Sequence, residues 1–67
     1  MKLTVNGREV DLPETVTTVR TLLDHFGLNK ELAIVEVNQS ILNKTTRDDQ
    51  KLTNGDRVEI VQFVGGG

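Results

Sequence analysis

The pair Asn6-Gly7 constrains this chain more than any other two residues. A two-residue hairpin loop of type I′ needs positive φ at both central positions, and asparagine and glycine tolerate that best. The sequence alternates on both sides of the pair. Leu3 and Val5 are interleaved with Lys2, Thr4 and Asn6, and Val10 and Leu12 are interleaved with Glu9 and Asp11. A two-residue loop sets Val5 opposite Arg8 and Leu3 opposite Val10, so Met1, Leu3, Val5, Val10 and Leu12 share one face. Arg8 falls on that face too, next to the turn, where its head can reach water. The chain thus opens with a hairpin that is apolar on one side and needs a cover.

A helix can supply the cover. Pro13-Glu14-Thr15 breaks the strand. Val19, Leu22, Leu23 and Phe26 then recur at i, i+3, i+4 and i+7, one apolar stripe at helical spacing. Thr17 or Thr18 suits the N-cap, although Thr21 stands where a capping box would place glutamate. Gly27 is placed for a left-handed C-cap, with Leu28 closing the hydrophobic contact. Residues 32–37 form an apolar, β-branched run broken only by Glu36, which predicts a central strand. Asn38-Gln39-Ser40 turns the chain into a short strand at Ile41-Leu42. Residues 43–50 are polar and aperiodic, a loop with room for one helical turn. Thr53-Asn54-Gly55-Asp56 is another turn, and residues 57–64 form the last strand before Gly65-Gly66-Gly67.

The order is ββαβ(β)β, and 67 residues leave room for one domain. One helix laid across a mixed sheet of four to five strands buries these stripes. The expected class is α+β, and the architecture is the β-grasp, or ubiquitin-like, fold over residues 1–64, followed by a flexible tail at 65–67. That fold hosts many functions and does not settle one.

Charge and cysteine usage narrow the function. A net charge of −2, with both signs interspersed, argues against a nucleic-acid binder, which needs a basic face for phosphates. No apolar run is long enough to span a bilayer, and residues 1–6 lack the apolar stretch of a signal peptide. The expectation is a soluble cytoplasmic protein without membrane or nucleic-acid partners. There is no cysteine. That removes disulfides, thiolate metal sites, a cysteine nucleophile and a cysteine persulfide. His25, the single histidine, reads as a solvated helix residue, and Asp48-Asp49 as solvated loop charges. No bound cofactor or metal is expected.

The tail is the most informative segment. Three glycines reach about 10 Å when extended, at roughly 3.3–3.6 Å per residue. Without Cβ atoms such a thread can enter a channel closed to other sequences and adopt backbone angles closed to other residues. Its tip carries a carboxylate, which is a poor electrophile until ATP converts it to a mixed anhydride with AMP. A partner enzyme could perform that activation in a closed, water-poor site.

The stretch from Asn54 through Asp56-Arg57-Val58-Glu59-Ile60-Val61-Gln62-Phe63-Val64 to Gly67 resembles the C-terminal signature of the ThiS family, the sulfur carriers of thiamine biosynthesis. Asn6-Gly7, the helix with Leu22-Leu23, and Ala33-Ile34-Val35-Glu36-Val37-Asn38 fit the same family, and Asp24 stands in for the acidic residue its first helix usually carries. The resemblance implies a protein cosubstrate that is not an enzyme. An E1-like adenylyltransferase would consume ATP to adenylate Gly67. A sulfur relay fed by a cysteine desulfurase would convert the adenylate to a thiocarboxylate. Thiazole synthase would take the sulfur, using a deoxyxylulose phosphate and a glycine-derived imine, and the carboxylate would be restored. The alternatives are the small subunit of molybdopterin synthase, a ubiquitin-like modifier of lysines, and an interaction module with inert glycines.

Partner contacts can also be anticipated. Val58, Ile60 and Val64 share one strand face with Gln62, whereas Val61 and Phe63 point to the other. One helix covers only one sheet face. Ile34, Val61 and Phe63 are therefore expected to form an exposed apolar patch near the tail, with Phe63 as anchor. The alternative is that Phe63 turns inward beneath the long loop.

Overall fold

The computed structural model describes residues 1–62. Strand β1 (Lys2–Val5) and strand β2 (Arg8–Asp11) are followed by helix α1 (Val19–His25), strand β3 (Ala33–Val37) and strand β4 (Ser40–Ile41). A 3₁₀ turn (Arg47–Asp49) then leads to strand β5 (Arg57–Gln62). The five strands form one sheet in the order β2-β1-β5-β3-β4. Strands β1 and β5 run parallel, and every other neighbouring pair is antiparallel. This is the mixed sheet and single helix of the β-grasp. The expected boundary between residues 64 and 65 lies outside the described residues.

The opening hairpin has the register its loop dictates, Val5 opposite Arg8 and Leu3 opposite Val10. Asn6 and Gly7 sit at φ 49° and 82°, as a type I′ turn requires. The tip does more than reverse the chain. Asn6 Oδ1 accepts from Ile60 N–H (2.7 Å), Asn6 Nδ2 donates to Ile60 O (3.1 Å), and Asn6 N–H donates to Val58 O (2.9 Å). The turn residue thereby continues the β1–β5 ladder after β1 has ended.

Thr18 caps α1, and Thr21 stands in for the missing glutamate. Thr21 N–H donates to Thr18 Oγ1 (3.3 Å), while Thr21 Oγ1 accepts from Thr18 N–H (2.9 Å) and Thr17 N–H (3.0 Å). A hydroxyl thus does the reciprocal work of a carboxylate. At the other end Gly27, at φ 69°, donates to Asp24 O, and Leu28 N–H donates to Leu23 O, which is a Schellman closure. Val19, Leu22 and Leu23 are fully buried against Leu3, Val35 and Val58. Phe26 departs from the predicted stripe. It is the C-cap residue at the exit of α1 and is 38% exposed.

Other boundaries shift by a residue. β3 begins at Ala33 instead of Leu32, and β4 covers Ser40–Ile41 instead of Ile41-Leu42, because Asn38 and Gln39 alone form the loop at φ 50° and 72°. Leu52, which the sequence pattern left in a connection, is buried in the core.

The polar segment 43–50 contains the least expected feature, a buried arginine. Arg47 is 3% exposed and donates from its two terminal nitrogens to Ala33 O and Lys30 O. Val35 O is taken by Leu42 N–H on the β4 side. Ala33 O faces the same side by alternation, beyond the reach of a two-residue β4. The guanidinium occupies the place a longer strand would have filled.

The turn that launches β5 is organised by Asp56. Burial works to raise its pKa, but hydrogen bonds from Thr53 N–H, Asn38 Nδ2 and Thr53 Oγ1 outweigh that and hold the carboxyl below its usual range. A carboxylate whose pKa is depressed on folding adds stability above its unfolded value, about 3.9, and loses it as pH falls through the folded value. Asp56→Asn is expected to lower the thermal midpoint at pH 7 on the order of 5 °C. The gap to the parent should close below about pH 4. Thermal melts of both proteins at pH 7 and pH 3 check this, and a gap unchanged at pH 3 contradicts it.

Candidate functional site

The candidate site is the root of the glycine tail, and β5 builds it. Val58 and Ile60 point into the core beneath α1, which fixes Val61 on the opposite face. The β3–β5 register sets Val61 directly across from Ile34. Ile34 is 41% exposed and Val61 56%, since among the described residues no second layer covers that face. Phe63, the third residue of the expected patch, and the tail residues Gly65, Gly66 and Gly67 lie outside the described residues. One neighbour went unnoticed in the sequence. Ile41, in the short edge strand, is 72% exposed and stands opposite Glu36, two residues from Ile34 on the same face. An isoleucine in a two-residue strand gives no periodic signal by which to assign its face.

Gln62 interrupts the inward apolar alternation, and the structure gives the reason. Its Oε1 accepts from Asn29 N–H at 2.9 Å. The side chain ties the end of β5 to the loop that leaves α1. Asn6 holds Ile60 from the other edge, so the last described residues of β5 are fixed from both sides before the tail begins.

The remaining charged candidates take structural or solvated positions. His25 is exposed and edge-on to Phe26, with ring centroids 5.3 Å apart. Asp24 is paired with Lys30 at 3.3 Å on the surface. Asp48, its side chain 41% exposed, contacts Arg47 Nε at 3.5 Å. Asp49 is exposed. Among the described residues no three His, Cys, Asp or Glu side chains gather to hold a metal ion, and no helix is long and apolar enough to cross a membrane. What these residues can do is hold the end of β5 in place, tied to the loop after α1 and to the hairpin tip, at the point where the glycine-ended segment begins.

The model of the ThiS family matches residues 3–67. The sulfur carrier protein ThiS of Bacillus subtilis is 37% identical over 65 residues, covering 97% of this chain and 98% of that protein. A thiazole synthase of Paramagnetospirillum magneticum is 37% identical over 67 residues, which is all of this chain but only 20% of the synthase. The crystal structure of the thiamine biosynthesis protein ThiS from Geobacter metallireducens superposes with a TM-score of 0.81 at 33% identity, each chain covered in full.

Proposed function

This chain belongs to the ThiS family, and we propose that it is a sulfur carrier of thiamine biosynthesis, a protein cosubstrate and not an enzyme, with the Gly67 carboxylate as its reacting group. One observation carries the reading. The family match extends through the final strand and all three glycines to residue 67, the segment that the proposed chemistry uses.

The chemistry follows from the carboxylate. Attack of a Gly67 oxygen on the α-phosphorus of ATP expels pyrophosphate and leaves an acyl-adenylate. The terminal sulfur of a persulfide on a relay fed by a cysteine desulfurase then attacks the acyl carbon and expels AMP, giving an acyl disulfide. A second thiol of the relay cleaves its sulfur–sulfur bond, releasing the Gly67 thiocarboxylate and supplying the two electrons as it forms a disulfide. An E1-like adenylyltransferase supplies the activating site. Thiazole synthase accepts the sulfur and returns the carboxylate. The likeness of this whole chain to one stretch of a thiazole synthase supports that client over molybdopterin synthase. A chain without cysteine has no side-chain thiol for the cargo, and a thiocarboxylate makes one unnecessary. The cytoplasm is the compartment this reading implies.

Intact-protein mass spectrometry tests the proposal. Incubated with the adenylyltransferase, the desulfurase, ATP and cysteine, the chain should gain the mass difference between sulfur and oxygen, localised to Gly67. An unmodified mass with active partners rejects sulfur carriage.

The outer-face residues are proposed partner contacts. Ile34→Asp and Val61→Asp should each weaken binding to the adenylyltransferase or to thiazole synthase by roughly tenfold or more, with the thermal midpoint held within a few degrees. Phe63→Asp should do the same. Calorimetric titration beside thermal melts separates loss of contact from loss of fold.

A further inference from the structure

The opposite side of the tail root carries a second surface. An open groove of about 430 Å³ lies between the hairpin tip, the end of β5 and the exit of α1. Its walls are mostly apolar, with Val10, Phe26, Leu28 and Ile60 among them, and Arg8 stands within it. Arg8 is exposed and forms no ion pair among the described residues. Among the described residues it is an unpaired cation in a groove with no acidic lining, on a chain of net charge −2.

Backbone geometry adds a third requirement on any occupant. Val58 O and both backbone polar groups of Ile60 face β1, where Asn6 satisfies them. In an antiparallel ladder alternate residues face the same edge, so the N–H and C=O of Gln62 point that way too. There β1 has ended, and no described residue pairs with them. The edge of β5 is therefore open beside Gln62, at the lip of the groove.

We propose that this groove receives an extended segment of a partner protein, which pairs its backbone with the open edge at Gln62 and sets an apolar side chain and a neighbouring carboxylate against Phe26 and Arg8. The three demands fit one chemistry. Unpaired strand groups call for another extended backbone, apolar walls for an apolar side chain, and an unpaired guanidinium for a carboxylate. An extended segment here leaves the Ile34–Val61 face free, so the tail root is grasped from both sides of the sheet. The proposal rests on the reading that the tail is handed to partner enzymes.

The test uses the full-length chain with the adenylyltransferase and with thiazole synthase. Calorimetric affinities are measured for the parent, Arg8→Glu and Phe26→Ser, and amide hydrogen exchange at Gln62 is followed with and without enzyme. With at least one enzyme, each variant is expected to bind roughly tenfold or more weakly, and Gln62 N–H should become protected in the parent complex. If Arg8→Glu lowers the thermal midpoint, Arg8→Gln, which keeps most of the stem, serves in its place. Unchanged affinities, or an unprotected Gln62 N–H, in a complex that does form overturn the proposal alone. A parent chain that binds neither enzyme overturns the sulfur-carrier reading, and this proposal with it.

Discussion

Deletion of Gly66 and Gly67 is expected to abolish sulfur loading while leaving the thermal midpoint of the domain within a degree or two of the parent. The reasoning separates two ledgers of the same chain. Among the described residues the core reaches to Ile60, and the last side-chain tie is Gln62 to Asn29. That network is formed entirely by residues 1–62. The chemistry, by contrast, depends wholly on where the carboxylate sits. Each residue removed retracts the reacting carbon by about 3.3–3.6 Å, whereas a displacement of about 1 Å can already cost a hundredfold in rate. Two residues place the group beyond rescue. Mass spectrometry of the truncated chain after incubation with active partners should show no sulfur adduct, and thermal melts should superimpose. Loading at the parental rate would point to a carrier group elsewhere and remove the tail from the mechanism.

Arg47→Ala should have the largest effect on stability of any substitution of a charged residue. The guanidinium is buried, and its removal orphans Ala33 O and Lys30 O at the edge of β3. A buried acceptor stripped of its partner costs about 1–3 kcal/mol, and the volume vacated by the stem adds to it. A domain of this size is stable by only about 3–10 kcal/mol. The expected loss is therefore a large fraction of the total, a fall of the thermal midpoint on the order of 15 °C. Arg47→Lys should recover only part, because an ammonium cannot reproduce the planar fork that spans two carbonyls. A melting point within 3 °C or so of the parent would show that water or a rearranged loop satisfies those carbonyls.

Arg47 also marks the limit of what the sequence can disclose. The hairpin was legible because Asn6-Gly7 and the flanking alternation are local signals whose physics does not depend on the rest of the chain. The helix was legible for the same reason, down to the choice between two threonines for its cap. The short β4, the buried Leu52 and the buried Arg47 depend on which distant segments meet. Segment 43–50 looks solvated in one dimension, and only the packed sheet shows that one of its charges completes an edge. The site divides in the same way. The glycine tail is a covalent fact of the sequence. The exposure of Ile34 and Val61 follows from strand alternation and a single helix. The groove at Arg8 and Phe26 arises because the exit of α1 leaves Phe26 partly exposed and the hairpin tip stands beside it, a conjunction that no periodicity encodes.

The parallel pairing of β1 with β5 has a consequence for biosynthesis. The strand made first has the strand made last as its neighbour at the centre of the sheet, and β5 supplies Val58 and Ile60 to the core. Such long-range pairing cannot form on the ribosome until nearly the whole chain has been translated and has cleared the exit tunnel. A nascent chain that stops before β5 lacks the central ladder and the Val58 and Ile60 part of the core, and is exposed to proteolysis. Folded molecules are thereby restricted to chains in which β5 has been made and has left the tunnel.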